Sequence, residues 1–243
     1  LGDDDKATYK TVNGICQFVS KYRPDLHWTI KELGRKNGAP TEMCMRAQKR
    51  LVRYFKSTQD HGILLPHGCV IDTVTGIADS DWAKDQESRK STSCGTVWIN
   101  DYLAFSYSRT QSVVATSSGE AEWYAKVGVA VETLQIARLL QWIGLKVNME
   151  LKGDSTAAAG IANRLGAGKM KHIEIKTLWL QRYTTSEIKE DQMIDGYVNT
   201  NVNPADIGTK PHPRQRLIEL MRLCSMKRIS EQDTGKLEEV TQD

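Results

Sequence analysis

No run of apolar residues in this 243-residue chain approaches the ~20 needed to cross a bilayer. The opening LGDDDK lacks the basic start and apolar core of a secretory signal. A soluble chain is therefore expected. Because it opens on Leu1 and not on Met, it reads as a piece of something longer. Cysteine offers no framework either. Cys16, Cys44, Cys69, Cys94 and Cys224 are odd in number, scattered and without a Cys-x-x-Cys pair. Neither a disulfide scaffold nor a zinc site is expected, and reduced thiols in an intracellular compartment are the default. Internal repeats and low-complexity stretches are also missing. With 40% hydrophobic and 26% charged residues, collagen-like and wholly disordered classes are excluded. At this length one or two domains are expected, burying about 70–75% of the unfolded surface.

Net charge is only +3 and says little about partners. Its distribution says more. Arg35, Lys36, Arg46, Lys49, Arg50, Arg53 and Lys56 fall in one stretch with Glu42 as the lone acid. Arg164, Lys169, Lys171, Lys176 and Arg182 fall in another, against Glu174 alone. Such stretches suit contact with a phosphate backbone, and equally suit a solvated helix face.

Residues 1–60 read as helices only. TYKTVNGICQFVSK is periodic up to Pro24, which then suits the first turn of a second helix. A third follows Pro40, with Met43, Ala47, Leu51, Val52 and Phe55 on its apolar face. From His61 onward the chain changes character. GILLP, GCVIDTV, GTVWIN and LAFSYSR read as consecutive antiparallel strands. Ser117-Ser118-Gly119-Glu120 forms a capping box that opens a long helix, its buried stripe expected at Val127, Val131, Leu134, Ala137 and Leu140. Then come a strand (MELKGD), a helix capped by Ser155, a helix over 173–186, a strand at MIDGYVN and a last helical region over 205–226. The expectation is an α/β domain over 61–226 behind a helical module over 1–60, with a frayed polar tail over 227–243.

Four acids stand at unusual places: Asp79 (with Asp81 on the same face of an extended segment), Glu122, Asp154 and Asp206. Singly, each reads as well as a helix-terminus or first-turn acid. Brought together by a sheet and its helices, they would need cations to stay ionised. Oxygen ligands of this kind favour Mg²⁺ or Mn²⁺ over zinc, and a pair of such ions is a recurring device for phosphodiester hydrolysis.

The blocks IADSDWAKDQESRKSTSCGTVWIN, ATSSGEAEWYA, LKGDSTAAAGIA, KHIEIKTLWL and NTNVNPADIGTKP resemble the RNase H domain of copia-type LTR retrotransposon Pol polyproteins. ATYKTVNGICQFVSKYRPDLHW and PTEMCMRAQKRLVRYFKST resemble the segment that joins reverse transcriptase to it. The resemblance runs from about residue 7 to about residue 223. It implies a ribonuclease H-like fold: a mixed sheet with its first three strands antiparallel and flanking helices. It also implies two Mg²⁺ ions and cleavage of the RNA strand of an RNA–DNA hybrid during reverse transcription. Asp79, Glu122, Asp154 and Asp206 match the family's catalytic and metal-binding acids. Arg164, Lys169, Lys171, His172 and Lys176 are the candidate contacts to nucleic acid. The implied partners are the hybrid and the polymerase domain of the same polyprotein, in an intracellular setting, either a cytoplasmic virus-like particle or the nucleus.

Departures are few. NTNVNPAD carries no histidine before its last acid, and Thr177-Leu178-Trp179 replaces the aromatic-histidine run that often follows KHI-x-I. The polymerase's paired aspartates are absent. His172 reads as a phosphate contact or a helix cap, and Trp82, Trp98, Trp123, Trp142 and Trp179 read as core or sheet-face residues before base-stacking ones. The DDDK run reads as a solvated acidic linker. Two alternatives stay open: a hybrid-binding domain that has lost catalysis, or another nuclease on the same fold, integrase- or resolvase-like. Retention of all four acids argues against the first.

Overall fold

The computed structural model describes residues 1–65, 68, 70–166, 168, 173–188 and 191–229. Its first segment is helical as expected: α1 (Asp3–Val19), α2 (His27–Arg35) and α3 (Glu42–Ser57). A 3-10 turn, Pro24–Leu26, leads into α2, placing Pro24 where its fixed φ and missing N–H cost nothing. The acidic run at the start is exposed and helical. Asp3, Asp4 and Asp5 fill the first turn of α1, where the helix dipole favours negative charge. The face that α3 buries is also rotated from the expected one. Gln48 and Leu51 are inside, while Met43 and Val52 are exposed (79% and 44%) and Ala47 is exposed too. Gln48 misleads because it is polar, yet its Nε2 donates to Tyr9 O (2.8 Å) and Asn13 Oδ1 (2.9 Å), so burial leaves it satisfied. Leu51 packs with Tyr9, Cys16, Leu26, Ile30 and Leu33 as the core of this segment.

Behind it lies a five-stranded sheet built from β2 (Thr73–Asp81), β3 (Thr92–Ile99), β4 (Tyr102–Thr110), β5 (Asn148–Gly153) and β6 (Met193–Tyr197), in the order β4-β3-β2-β5-β6. β2, β3 and β4 are antiparallel, and β5 and β6 run parallel to β2. This is the ribonuclease H-like arrangement the motifs imply. β2 is therefore central, and α4 (Ser118–Trp142) lies across it. The buried stripe of α4 runs through Lys126, Val129, Ala130, Thr133, Ala137 and Leu140, with Val131 turned out to solvent (43% exposed) and Val127 and Leu134 half-buried. The helix sits close because β2 offers Gly76 beneath it. A Cβ there would collide with Thr133 Oγ1 and press on Val129. Close approach selects small residues, so the stripe of large apolar residues expected from periodicity is displaced. α5 (Thr156–Ala162), α6 (Trp179–Thr184) and α7 (Arg214–Leu223) complete the α-helices among the described residues. Among the described residues no helix is long and apolar enough to cross a membrane.

Four expectations are corrected. The first β-run does not pair with its successor: β1 (His61–Ile63) pairs antiparallel with β7 (Met226–Arg228). Lys227 and Arg228 consequently belong to a strand and not to a frayed tail, while residues 230–243 lie outside the described set. The last helical region is split into a 3-10 turn, Pro204–Gly208, and α7, because Pro211 and Pro213 interrupt the helix between them. The helix expected over 173–186 is likewise a 3-10 turn, Ile175–Thr177, running into α6.

The helical segment is fastened to the sheet. His27 Nε2 and Ser106 Oγ of β4 share a hydrogen bond (2.9 Å), Lys31 Nζ donates to Thr92 Oγ1 (2.7 Å), and Arg35 Nη2 pairs with Asp85 Oδ2 (2.6 Å). At its base Arg23 makes a bidentate bond with buried Asp25 (2.9 and 2.8 Å), and donates to Thr58 O (2.9 Å). Tyr54 donates to the same carboxylate (2.8 Å). Truncating one partner of such a buried pair strands the other charge. Arg23→Met should therefore cost about 3–5 kcal/mol in urea denaturation, and Arg23→Met with Asp25→Leu markedly less. Equal losses would mean the ion pair contributes only packing.

Candidate active site

Each site acid is placed by a local device. Asp79 sits near the end of β2, buried and paired in register with Cys94. Glu122 occupies the first turns of α4, whose N-cap Ser117 accepts from Glu120 N (3.2 Å). Glu120 reaches back to Thr116 N (2.7 Å), one residue earlier than the capping box predicts. Ser80 then joins strand to helix, its backbone N–H and its hydroxyl both donating to Glu122 Oε1 (3.2 and 2.7 Å). Asp154 follows β5 directly and accepts from Thr200 Oγ1 (2.7 Å). Asp206 lies in the Pro204–Gly208 turn. That turn is pinned to β2 by Asn203, which is fully buried. Its Nδ2 donates to Ala78 O (3.1 Å) and its Oδ1 accepts from Ala205 N (3.0 Å).

Asp79, Glu122 and Asp154 each offer a carboxylate oxygen, and these oxygens all lie within 4.8 Å of one another. Between the neighbours Asp79 and Asp81, it is Asp79 that joins this group, whereas Asp81 Oδ1 pairs with Lys84 (3.3 Å). Asp206 stands apart from the trio. Thr209 Oγ1 lies 3.1 Å from Asp79 Oδ2 and 3.4 Å from Asp206 Oδ1, linking the two. Asp206 itself is paired with Lys210 (2.6 Å) and Arg216 (3.2 Å), and its carbonyl meets His212 Nε2 (2.8 Å).

The electrostatics divide the acids in the same way. Burial, then the charges of Asp154 and Asp206, push Asp79 up to about 7. Burial, then Asp79, push Glu122 up to about 8, despite the bonds from Ser80. Burial also acts to raise Asp206, but Lys210, His212 and Arg216 outweigh it and hold this carboxyl below its usual value. The trio is short of positive charge and its donors are hard oxygens, so it fits one Mg²⁺ or Mn²⁺ ion. The Asp206 side already has its cations.

Of the expected nucleic-acid contacts, Arg164 is half-buried just after α5, and Lys176 is exposed and pairs with Glu174 (2.9 Å). Lys169, Lys171 and His172 lie outside the described residues. Trp98 and Trp123 are buried, Trp179 packs edge-on against Tyr183, and Trp82 and Trp142 are exposed. Sequence reasoning missed Ser80, Asn203, Thr209, Lys210 and Arg216. The run GTKPHPRQR after Asp206 carries the signal for the cations. The hydroxyl and amide partners have none that periodicity could reveal.

A mixed sheet in this order, with three acids converging at the end of its central strand, defines a domain of the ribonuclease H-like class. No family model matches the chain. It is 30% identical over 230 residues to the retrovirus-related Pol polyprotein from transposon TNT 1-94 of Nicotiana tabacum, covering 93% of this chain and 17% of that one. It is 28% identical over 213 residues to the corresponding polyprotein of transposon RE1 of Arabidopsis thaliana, covering 86% and 14%. The chain's homologues are thus Pol polyproteins of copia-type transposons, and it spans 14–17% of the length of these two curated relatives. Among solved structures, LC11-RNase H1 in complex with an RNA/DNA hybrid is 11% identical, with a TM-score of 0.38, covering 55% of this chain and 91% of that one. At that score the fold assignment rests on the chain's own strand order.

Asp79 and Glu122 ionise near 3.8 and 4.5 in an ordinary setting, and near 7 and 8 here. Between those limits the folded state binds more protons than the unfolded one, so stability falls as pH rises. In chelator, the melting temperature should drop between about pH 5 and about pH 8, and Asp79→Asn should flatten that drop. A melting temperature that rose over this window would show that the two carboxyls are not held protonated.

Proposed function

We propose that this domain hydrolyses the RNA strand of RNA–DNA hybrids as the RNase H portion of a copia-type polyprotein. The convergence of Asp79, Glu122 and Asp154 carries the reading. These three would hold Mg²⁺, with Mn²⁺ as a substitute. When bound, the ion supplies positive charge to the scissile phosphate and lowers the barrier to attack by water. The chain's own residues do the rest. Ser80 fixes Glu122 through two hydrogen bonds, and Thr200 fixes Asp154, so the ligands need little rearrangement. Asn203 keeps the Asp206 turn against β2, and Thr209 couples Asp206 to Asp79. Hydrolysis leaves a 3′-hydroxyl and a 5′-phosphate. A second ion, as the family implies, would be held with the help of Asp206, whose carboxylate here pairs with Lys210 and Arg216.

Arg164, Lys169, Lys171, His172 and Lys176 would grip the sugar-phosphate backbone, since a hybrid of any sequence must be read by groove shape and charge. The polymerase domain of the same polyprotein is the expected neighbour, and a cytoplasmic particle or the nucleus the expected setting.

Purified chain incubated with labelled hybrid should cut the RNA strand in Mg²⁺ and stop in excess chelator. Asp79→Asn or Asp154→Asn should lower the rate on the order of a hundredfold or more, the equivalent of several kcal/mol of lost charge stabilisation. Persistent cutting in chelator would exclude the metal-dependent reaction. Binding by Asp154→Asn protein should weaken with salt, log affinity falling by roughly 0.7–0.9 per phosphate contacted. Adding Lys169→Ala and Lys171→Ala should flatten that slope by about one to two units. An unchanged slope would place the substrate elsewhere, along the basic face of α3.

A further inference from the structure

Between β4 and α4 the surface carries a depression of about 220 Å³. Tyr107, Thr110 and Gln111 line it from β4 and the residue after it, and Tyr124, Val127 and Gly128 from α4. Three buried side-chain atoms here have no protein partner among the described residues: the Tyr107 hydroxyl, Thr110 Oγ1 and Gln111 Oε1. Tyr107 is 6% exposed and Gln111 8%. Buried polar atoms are nearly always paired, and one left unpaired is costly. The Gln111 amide cannot turn round to find a partner. Its Nε2 donates to Ser93 Oγ (2.8 Å) and to Ala121 O (2.8 Å), and a flip would set oxygen against a carbonyl oxygen. The depression therefore presents a fixed acceptor. Tyr107 reaches its place by way of two glycines. A Cβ at Gly95 would meet its ring at 2.5 Å, and one at Gly128 its hydroxyl at 2.8 Å. Burial pushes the phenol well above its usual range, so it stays protonated and able to donate.

A ligand that satisfies this set must bring an N–H or O–H for Gln111 Oε1 and an acceptor for the Tyr107 hydroxyl. A phosphodiester has no such donor. The three unpartnered atoms all belong to neutral groups, so the deep part of the depression calls for a neutral ligand. Val127 and the Tyr107 and Tyr124 rings supply apolar wall. A planar heterocycle with an N–H beside a carbonyl or ring nitrogen meets these terms, and the bases of nucleic acids are of that kind. Two cations stand at the rim, Arg109 and Lys176, their side chains 56% and 73% exposed. They suit the phosphate that a base brings with it. We propose that this depression is a nucleobase pocket: it takes an unpaired base of a nucleic-acid strand, the base edge on Gln111 Oε1 and the Tyr107 hydroxyl and the phosphate toward Arg109 and Lys176. Thr110, whose hydroxyl can donate or accept, completes the edge. The pocket adjoins the acids. Ala121, held by the Gln111 amide, precedes Glu122, and Ser93 pairs in register with Ser80. Bases in a duplex have their edges already occupied, so the pocket selects strand ends, gaps and loops. Such binding needs neither metal nor cleavage, and it stands apart from the hydrolysis proposed above.

Binding to the whole chain in chelator, read by calorimetry and by the NMR signal of the Gln111 side-chain amide, is the test. The four nucleoside 5′-monophosphates are the probes, with ribose 5-phosphate as control. A nucleotide should bind and shift the Gln111 signal, and ribose 5-phosphate should do neither. A single-stranded oligonucleotide should displace the nucleotide, and a blunt, fully paired hybrid should not. Tyr107→Phe should weaken nucleotide binding about three- to tenfold. Its melting temperature should be unchanged or higher, because the hydroxyl it removes is buried without a protein partner. Ser112→Phe, at an exposed position on the rim, should block the pocket and leave the core alone. Equal affinity for ribose 5-phosphate and the nucleotides would make this a phosphate site and overturn the base reading. Nucleotide binding that survives both substitutions would overturn it too. If no nucleotide binds, the three polar atoms are met by water alone and there is no pocket for a base. Displacement by the blunt hybrid as readily as by the single strand would overturn the preference for unpaired bases.

Discussion

Like charge pressed together at the end of β2 is the constraint around which this molecule is arranged. Asp79 is buried in the central strand, Glu122 is brought over it by α4, and Asp154 emerges from the adjoining β5. Burial first, and then the neighbouring carboxylates, raise the proton affinity of Asp79 and Glu122, and the bonds from Thr209 and Ser80 offset this only in part. The fold withstands it because the supports are numerous and short. Ser80 bonds twice to Glu122, and Gly76 lets α4 sit hard against the strand. Asn203 nails the Asp206 turn to Ala78, the residue beside Asp79. A site with this much internal pressure is stable only while the surrounding sheet is rigid.

The asymmetry between the two halves of the site is its second organising fact. One half is three carboxylates with hydroxyl and amide partners. The other is a single carboxylate saturated by Lys210 and Arg216. Four acids of one chemical type therefore occupy two electrostatic environments, and environment rather than residue identity sets what each can do. The helical segment reaches this region too, since α2 contributes Trp28, Glu32 and Arg35 to the cleft that Lys210 lines.

Much of this was legible in the sequence, and the failures have physical causes. The strand and helix order from Thr73 to Tyr197 follows from alternation, caps and glycines, because local chemistry and fold agree there. The buried faces of α3 and α4 did not follow, since Gln48 and Lys126 are interior polar residues satisfied by partners far away in sequence. Lys126 reaches Asp195 of β6, and no periodicity can announce that. The pairing of β1 with β7 joins segments more than 160 residues apart, each three residues long, too short for pattern to register. The four acids were legible as a set because their spacing matched a family. Their separation into a trio and an outlier was not, because it depends on where Lys210 and Arg216 fold back.

The β1–β7 pair has a mechanical consequence. His61 faces Arg228 at the end of the ladder where the sheet domain is entered and left, so the two ends of that domain lie side by side. Tension drawn through the polypeptide on either side would meet this small ladder end-on and open it one bond at a time, like a zip. β1 and β7 thereby close the sheet domain at the point where the chain enters and leaves it.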